Sequence, residues 1–188
     1  TSWDSEKTLI YGFNHQEFKK RFKIISYGSC TVNAFIPLGS FMENNYGIID
    51  ADVNVVHNIQ EYRLKDNNTL NRKFCTLEKS GPKLLKSINK KNFKVNYTVV
   101  PYTGVSMIDF RFRLKKCPPL EKLINTLEKE TKFGSLKGIY NIHEFDRGPE
   151  VHNCTTFSSI FIRENIEIIK DQVYISGYFD NENSANRY

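Results

Sequence analysis

The sequence lacks the short motifs that mark most familiar enzyme and transport classes. No apolar run approaches the roughly 20 residues that a membrane-spanning helix needs, so we expect a chain that does not span a membrane. There is no G-x-S-x-G nucleophile elbow and no G-x-x-x-x-G-K-[ST] phosphate loop. Glycine and proline, with 10 and 6 residues, are at ordinary levels. These levels exclude a collagen-like or low-complexity chain.

The chain does contain enough apolar material for a core. Of its 188 residues, 39% are hydrophobic and 13% are aromatic, which is far more than a disordered chain carries. Surface scaling indicates that about 70% of the unfolded surface could be buried on folding. We therefore expect residues 1–188 to form one domain.

The four cysteines are dispersed and form no C-x-x-C pair. They are Cys30, Cys75, Cys117 and Cys154. Zinc and iron–sulfur sites usually draw on close pairs, so we predict no metal site. An even number of dispersed cysteines favours two disulfides that staple the domain in an oxidising compartment. Four buried, reduced thiols are the alternative.

Other features agree with secretion. The chain begins at Thr1 without methionine and without a leader, as a mature secreted protein or a trimmed chain would. Three N-glycosylation acceptor motifs occur, about as many as chance gives. Only Asn67 lies in a stretch polar enough to predict exposure. We predict a secreted, extracellular protein with a possible glycan at Asn67.

Period-2 alternation is the strongest structural signal. In Met107–Leu114, apolar residues alternate with charged ones, which predicts a half-buried strand. Ile48–Val56 alternates in the same way. Further strands are predicted at Thr31–Ile36, Lys94–Tyr102, Ser159–Arg163 and Val173–Phe179.

Helical signals are confined to short pieces. Leucine and isoleucine recur at helical spacing after Pro118 and Pro119, and Gly134 ends the pattern. A second helix is predicted from Pro82 to Lys91, and a weaker third near Asn14–Phe22. The fold class is therefore mainly β (α+β): an antiparallel β-sandwich or curled sheet with two or three short helices.

One cluster has residues suited to catalysis. His143, Glu144 and Asp146 are followed by Glu150 and His152, and imidazole and carboxylate groups carry protons or bind metals. Their spacing matches no metal motif, so an ordinary polar loop is the preferred explanation. A Cys/His nucleophile system would need a reduced thiol, which the disulfide prediction removes. We therefore predict no enzyme, no catalytic residues and no cofactor.

The net charge of +6 is unevenly distributed. Residues 144–188 hold four basic and eight acidic side chains, so residues 1–143 carry +10. A basic patch at Lys79, Lys83, Lys86 and Lys90 could meet an anionic surface, although a solvated helix face is the simpler explanation. Few aromatic residues are interleaved with these lysines, so we predict no nucleic-acid partner.

Inward-facing apolar residues offer a second kind of binding site. In a sandwich whose sheets splay apart, such residues line a cavity, and in a closed one they form a packed core. The residues concerned are Val53, Val55, Val99, Phe110, Phe112 and Ile175.

The order of elements resembles the secreted lipid-recognition β-sandwiches, the ML-like group. The resemblance lies in a strand that leads through Cys117-Pro118-Pro119 into a short helix, followed by Asn153-Cys154. Cys75 followed by Leu84 and Leu85 is a similar cysteine-then-helix step. The resemblance implies that a lipid or other apolar ligand binds between the sheets without catalysis. The alternative function is a secreted effector or receptor-binding protein that uses an exposed sheet face and the basic patch.

Overall fold

The structure is a computed structural model that describes residues 4–59, 72–101 and 104–187, without the side chain of Arg187. Its helices are α1 (Cys30–Tyr46), α2 (Thr76–Leu84) and α3 (Leu120–Phe133). Its strands are β1 (Lys7–Thr8), β2 (Ile25–Ser26), β3 (Ile48–Ile59), β4 (Phe93–Pro101), β5 (Val105–Leu114), β6 (Tyr140–His143), β7 (Ser159–Ile162), β8 (Glu167–Ile169) and β9 (Gln172–Asp180).

One mixed sheet of seven strands organises the fold. Its order is β4-β3-β5-β9-β7-β6, and β8 pairs with β9. The pairs β3–β4 and β6–β7 are parallel, and the others are antiparallel. The only other sheet in the described ranges is the two-stranded β1–β2. The α+β class is confirmed, but the antiparallel sandwich is wrong, because helices cover the large sheet where a sandwich would have a second one.

Helix α1 replaces the strand that was predicted at Thr31–Ile36. Ser29 caps the helix, and its Oγ accepts a hydrogen bond from the backbone N–H of Val32. Val32, Phe35 and Ile36 are fully buried. A helix buried on all sides has no polar face, so its sequence lacks the apolar stripe of a surface helix and resembles a buried strand.

Of the other two helices, only α3 has the predicted bounds. Helix α3 begins after Pro119 and ends at Gly134, as predicted. Helix α2 spans Thr76–Leu84, so it begins and ends earlier than the predicted Pro82–Lys91. At its start, the Glu78 carboxylate accepts a hydrogen bond from the backbone N–H of Cys75. Near Asn14–Phe22 only a short 3₁₀ turn forms, at His15–Glu17.

The predicted alternation of β5 is confirmed. Phe110 and Phe112 are buried and lie beside Phe35 of α1, with ring centroids 6.3 and 5.8 Å away. On the other face, Arg111 forms ion pairs with Asp50 and Asp52 of β3. The apolar residues that were predicted to line a ligand cavity are all buried: Val53, Val55, Val99, Phe110, Phe112 and Ile175. All but Val99 belong to the continuous apolar cluster between sheet and helices.

All four cysteines, Cys30, Cys75, Cys117 and Cys154, are free thiols. The predicted disulfides and the stapled domain are therefore wrong, and the organisation of residues 1–188 as one domain stays a prediction. Asn67 lies outside the described residues. Within those residues, no helix combines the length and apolarity needed to cross a membrane.

Candidate active site

A thiol and an imidazole meet at the start of α1. Cys30 is the first residue of that helix, and His57 lies near the end of β3. The Sγ atom of Cys30 is 3.6 Å from Nε2 of His57. A thiol beside an imidazole can act as a nucleophile, since the ring nitrogen can accept the thiol proton.

The loop before α1 is held in place by hydrogen bonds. Gly28 has a φ of +76°, and a Cβ atom there would lie 2.7 Å from Cδ1 of Ile10. The side-chain amide of Asn33 donates to the carbonyl oxygens of Tyr27 and Ser29, at 2.8 and 3.0 Å. These contacts fix the backbone that leads into Cys30.

His57 lies between two aromatic rings. Its ring centroid is 5.3 Å from that of Tyr97 and 6.0 Å from that of Phe179. It continues the inward row of Val53 and Val55 along β3. Packing between rings limits the orientations that the imidazole can adopt.

Burial favours the uncharged form of the thiol. Desolvation, helped by the nearby Cys75 and Glu182, raises the pKa of Cys30 to about 12. Desolvation also raises the pKa of Tyr97, and the thiols of Cys30 and Cys75 add to that rise. Cys30 is therefore a neutral thiol at rest, and it becomes a thiolate only when a base such as His57 takes its proton.

Three hydroxyl groups form a hydrogen-bonded cluster that includes both chain neighbours of Cys30. The Ser29 hydroxyl lies 2.6 Å from that of Thr76 and 3.1 Å from that of Thr31. The Thr31 hydroxyl is also 3.3 Å from Sγ of Cys75. This hydroxyl cluster (Ser29, Thr31 and Thr76) joins the first turns of α1 and α2, where unpaired backbone N–H groups favour negative charge.

A cavity of about 520 Å³ opens beside Cys30 and His57. Its described lining includes no lysine or arginine, and its acidic residues are Asp180 and Glu182. The Asp180 carboxylate accepts from the backbone N–H groups of Cys154 and Glu182, at 2.7 and 2.8 Å. The polar groups that the cavity offers to a ligand thus include amide, hydroxyl, thiol and carboxylate groups.

The predicted histidine cluster also comes together, but away from Cys30. The rings of His143 and His152 have centroids 5.2 Å apart. Asp146 accepts hydrogen bonds from the hydroxyl of Tyr178, at 3.0 and 3.1 Å, and neither ring nitrogen of His152 has a partner among the described residues. The three side chains therefore share no hydrogen-bonded point. Among the residues described, no three His, Cys, Asp or Glu side chains are arranged to hold a metal ion.

The sequence prediction missed both Cys30 and His57. Assigning Cys30 to a disulfide removed it from consideration as a nucleophile. The predicted strand ended at Val56, although β3 continues to Ile59. An imidazole at the next inward position of an apolar row was the signal that could have identified His57.

The predicted basic patch lies on α2 and the turns after it. Lys79, Lys83, Lys86 and Lys90 are all exposed. Lys79 lies over the ring of Phe74, with its Nζ 5.4 Å from the ring centroid. These lysines are separate from the cavity beside Cys30.

Sequence comparison finds relatives of a class that the sequence patterns did not predict. The chain is 27% identical over 189 residues to the cytosolic glyceraldehyde-3-phosphate dehydrogenase of Pisum sativum, covering 93% of this chain and 55% of that protein. The corresponding enzyme of Nicotiana tabacum is 26% identical, with 93% and 57% covered. The glyceraldehyde-3-phosphate dehydrogenase of Schizophyllum commune is 27% identical, with 93% and 56% covered. No family model matches the chain. The chain spans little more than half the length of these relatives.

These relatives overturn several predictions. They are dehydrogenases, and those of pea and tobacco are cytosolic. The predictions of a secreted glycoprotein, of a protein that is not an enzyme, and of lipid, receptor or anionic-surface partners are therefore wrong. The resemblance to ML-like lipid-recognition proteins is wrong as well. Over most of its length, this chain is similar to glyceraldehyde-3-phosphate dehydrogenases.

Proposed function

We propose that this chain carries the thiol site of a cytosolic enzyme in which Cys30 adds to the carbonyl carbon of a phosphorylated aldehyde. The observation that carries the proposal is the 3.6 Å contact between Sγ of Cys30 and Nε2 of His57. The names of the relatives support the substrate class, because glyceraldehyde 3-phosphate is a phosphorylated aldehyde.

The addition step balances without an oxidant. A bond forms between Sγ of Cys30 and the carbonyl carbon, and the electron pair of the carbonyl π bond moves to its oxygen. The proton leaves Sγ for Nε2 of His57 and then passes to that oxygen. The product is a neutral hemithioacetal on Cys30.

Burial determines when the proton moves. The raised pKa of Cys30 keeps the thiol protonated in the absence of substrate. Proton transfer to His57 is then coupled to attack, because a free thiolate is costly in this buried position. Such coupling restricts the reactivity of the thiol to molecules that fit the cavity.

The hydroxyl cluster suits the phosphate of the substrate. Ser29, Thr31 and Thr76 bring three hydroxyl groups, hydrogen-bonded to one another, to the starts of two helices beside Cys30. Hydroxyl groups and backbone N–H groups commonly bind phosphate oxygens. The described lining of the cavity has no lysine or arginine, and it does not include these three residues. In the proposal, the phosphate therefore extends from the cavity past Cys30 toward the starts of the two helices.

The described residues do not fit a complete dinucleotide site for the hydride transfer of a dehydrogenase. A dinucleotide fold holds the pyrophosphate on a G-x-G-x-x-G turn between a strand and a helix, and the sequence contains no such motif. The amide of Asn181, which lines the cavity, is already bonded to the Asn58 carbonyl and the Ser106 hydroxyl. The proposal is therefore limited to the aldehyde addition, which is the step that the contact between Cys30 and His57 supports.

Protection of Cys30 from alkylation tests the proposal. The chain is treated with N-ethylmaleimide, with and without glyceraldehyde 3-phosphate, and labelling of each cysteine is followed by peptide mass spectrometry. We expect the phosphorylated aldehyde to slow labelling of Cys30 and to leave Cys117 unaffected. Glyceraldehyde without phosphate should protect less at equal concentration. Replacing His57 by asparagine should slow adduct formation by about 10²- to 10⁴-fold.

Cys154 provides the matched control, because it is an exposed thiol that lines the same cavity. Protection of Cys30 must persist in the Cys154→Ser variant. Equal labelling of Cys30 with and without the aldehyde would refute the proposed function.

A further inference from the structure

A stack of three rings attaches one turn of the chain to the sheet. His152 ends the 3₁₀ turn Pro149–His152, here called the His152 turn. Its ring lies 4.8 Å from that of Tyr178 on β9, nearly parallel at 16°, and 5.2 Å from that of His143 on β6. The side chain is held by ring packing.

His152 is buried without hydrogen bonds. Its exposed fraction is 1%, and neither ring nitrogen has a partner among the described residues. A neutral imidazole has one donor and one acceptor, and leaving both unpaired in the interior is unfavourable. A charged imidazolium would be much more unfavourable there, because it adds a buried charge.

The groups around the ring do not favour the charged form. Burial lowers the pKa of His152, and His143 lowers it further, while Asp146 acts in the opposite direction. Asp146 is exposed, and its carboxylate is engaged by the hydroxyl of Tyr178. Other charged groups close to the turn include Glu150, exposed on the turn itself, and Arg147, exposed just before it. Asp109 of β5 acts on Tyr178.

The His152 turn leads directly into the candidate active site. The next three residues, Asn153, Cys154 and Thr155, line the cavity beside Cys30. The backbone N–H of Cys154 donates to Asp180 at the end of β9. Movement of the turn would therefore move one wall of that cavity.

We infer that His152 is a proton-sensitive latch: its neutral ring holds the His152 turn against Tyr178, and its protonation releases the turn and withdraws Asn153–Thr155 from the cavity beside Cys30. This inference does not rest on the proposed function, since it concerns the attachment of a segment and not a reaction.

The direction of the pH effect follows from linkage. The folded form holds His152 with a lowered pKa, whereas the released form has the ordinary value of 6.5. Between these two values the released form binds more protons, so attachment weakens as the pH falls below 6.5. Below the pKa of the folded form both forms are protonated, and the attachment of the turn weakens no further.

Two measurements on the whole chain test the latch. Proton NMR follows the four imidazoles from about pH 8 to about pH 5, the range in which histidine titrates. Hydrogen exchange, corrected for the intrinsic pH dependence of amide exchange, follows residues 149–155. We expect the His152 resonance to titrate below 6.5. Protection of residues 149–155 should fall by up to about tenfold per pH unit in that window.

The variants separate titration from packing. In His152→Phe the ring stack is kept and the proton site is removed, so protection should no longer depend on pH. His15→Asn, at a turn where His15 accepts from the backbone N–H of Gly12, should keep the wild-type dependence. The inference is overturned if His152 titrates at or above 6.5, or if His152→Phe retains the pH dependence. The NMR titration needs only the unaltered chain. It therefore decides whether His152 titrates below 6.5 even if the variant does not fold.

Discussion

Cys30 and His57 are 27 residues apart in sequence, yet Sγ of the first lies 3.6 Å from Nε2 of the second. The first begins a buried helix, and the second lies on an interior strand of the sheet. Rigid elements on both sides hold the pair. Such support is what a nucleophile and its base require for repeated reaction.

The first prediction concerns the pH dependence of Cys30 alkylation. Because burial raises the pKa of Cys30 to about 12, the thiolate fraction should keep rising with pH well beyond the range of an ordinary thiol. An unperturbed cysteine thiol levels off above about pH 8.5. Mass spectrometry of the Cys30 peptide after timed alkylation, with a cysteine-containing model peptide in the same tube, measures both profiles.

The profile of the model peptide is the internal control for the reagent. A Cys30 rate that levels off at or below the pH of the model peptide would contradict the prediction. It would show that the protein stabilises the Cys30 thiolate before any substrate binds, instead of forming it only when His57 takes the proton.

Strands β3 and β5 could be predicted from sequence because each has one face in the core. In β5, apolar and charged residues alternate without interruption, and Phe110 and Phe112 are buried as expected. Helix α3 was predictable for a similar reason, since its one buried face gives a clear helical period. Periodicity reveals an element only when its two sides have different surroundings.

The candidate site was not predictable by the same means. Helix α1 is buried on all sides, so the residues that follow Cys30 resemble a strand. The contact between Cys30 and His57 also depends on how α1 packs on the sheet, which no local pattern encodes. Disulfides were inferred from the number and spacing of the cysteines alone. That inference excluded Cys30 as a candidate nucleophile.

The second prediction concerns Tyr140, whose hydroxyl is inserted into helix α1. The hydroxyl donates to the carbonyl oxygen of Ala34 at 2.8 Å and accepts from the backbone N–H of Leu38 at 3.0 Å. It therefore occupies the place of a helical hydrogen bond next to Pro37, which has no N–H to donate. We expect Tyr140→Phe to lower the free energy of unfolding by about 1–3 kcal/mol, because two buried backbone groups lose their partner.

Urea unfolding of the two proteins measures this loss. Tyr174→Phe is the control, since the Tyr174 hydroxyl has only a 3.4 Å contact with Gln172 in a partly exposed position. It should change stability by no more than about 0.5 kcal/mol. If Tyr140→Phe is as stable as the unaltered chain, the backbone groups of Ala34 and Leu38 find partners without the hydroxyl. The stabilising role assigned to Tyr140 is then wrong.

The third prediction concerns Gly177, which allows β7 to approach β9. A Cβ atom at Gly177 would lie 2.3 Å from the carbonyl oxygen of Ile160, a backbone atom that cannot rotate away. Gly177 pairs with Phe161 of β7 and with Ile108 of β5, so it is enclosed on both sides. Gly177→Ala should therefore separate β7 from β9 and lower the free energy of unfolding by at least the roughly 1–3 kcal/mol of an overpacked core.

Amide exchange should quicken at Ser159–Ile162 more than in β3, because β3 lies on the far side of β5. Ser176→Ala, a smaller side chain at the preceding position of the same strand, is the matched control and should leave both measurements near those of the unaltered chain. Unchanged exchange at Ser159–Ile162 in Gly177→Ala would mean that the two strands tolerate the methyl group and that their close approach is not what requires glycine.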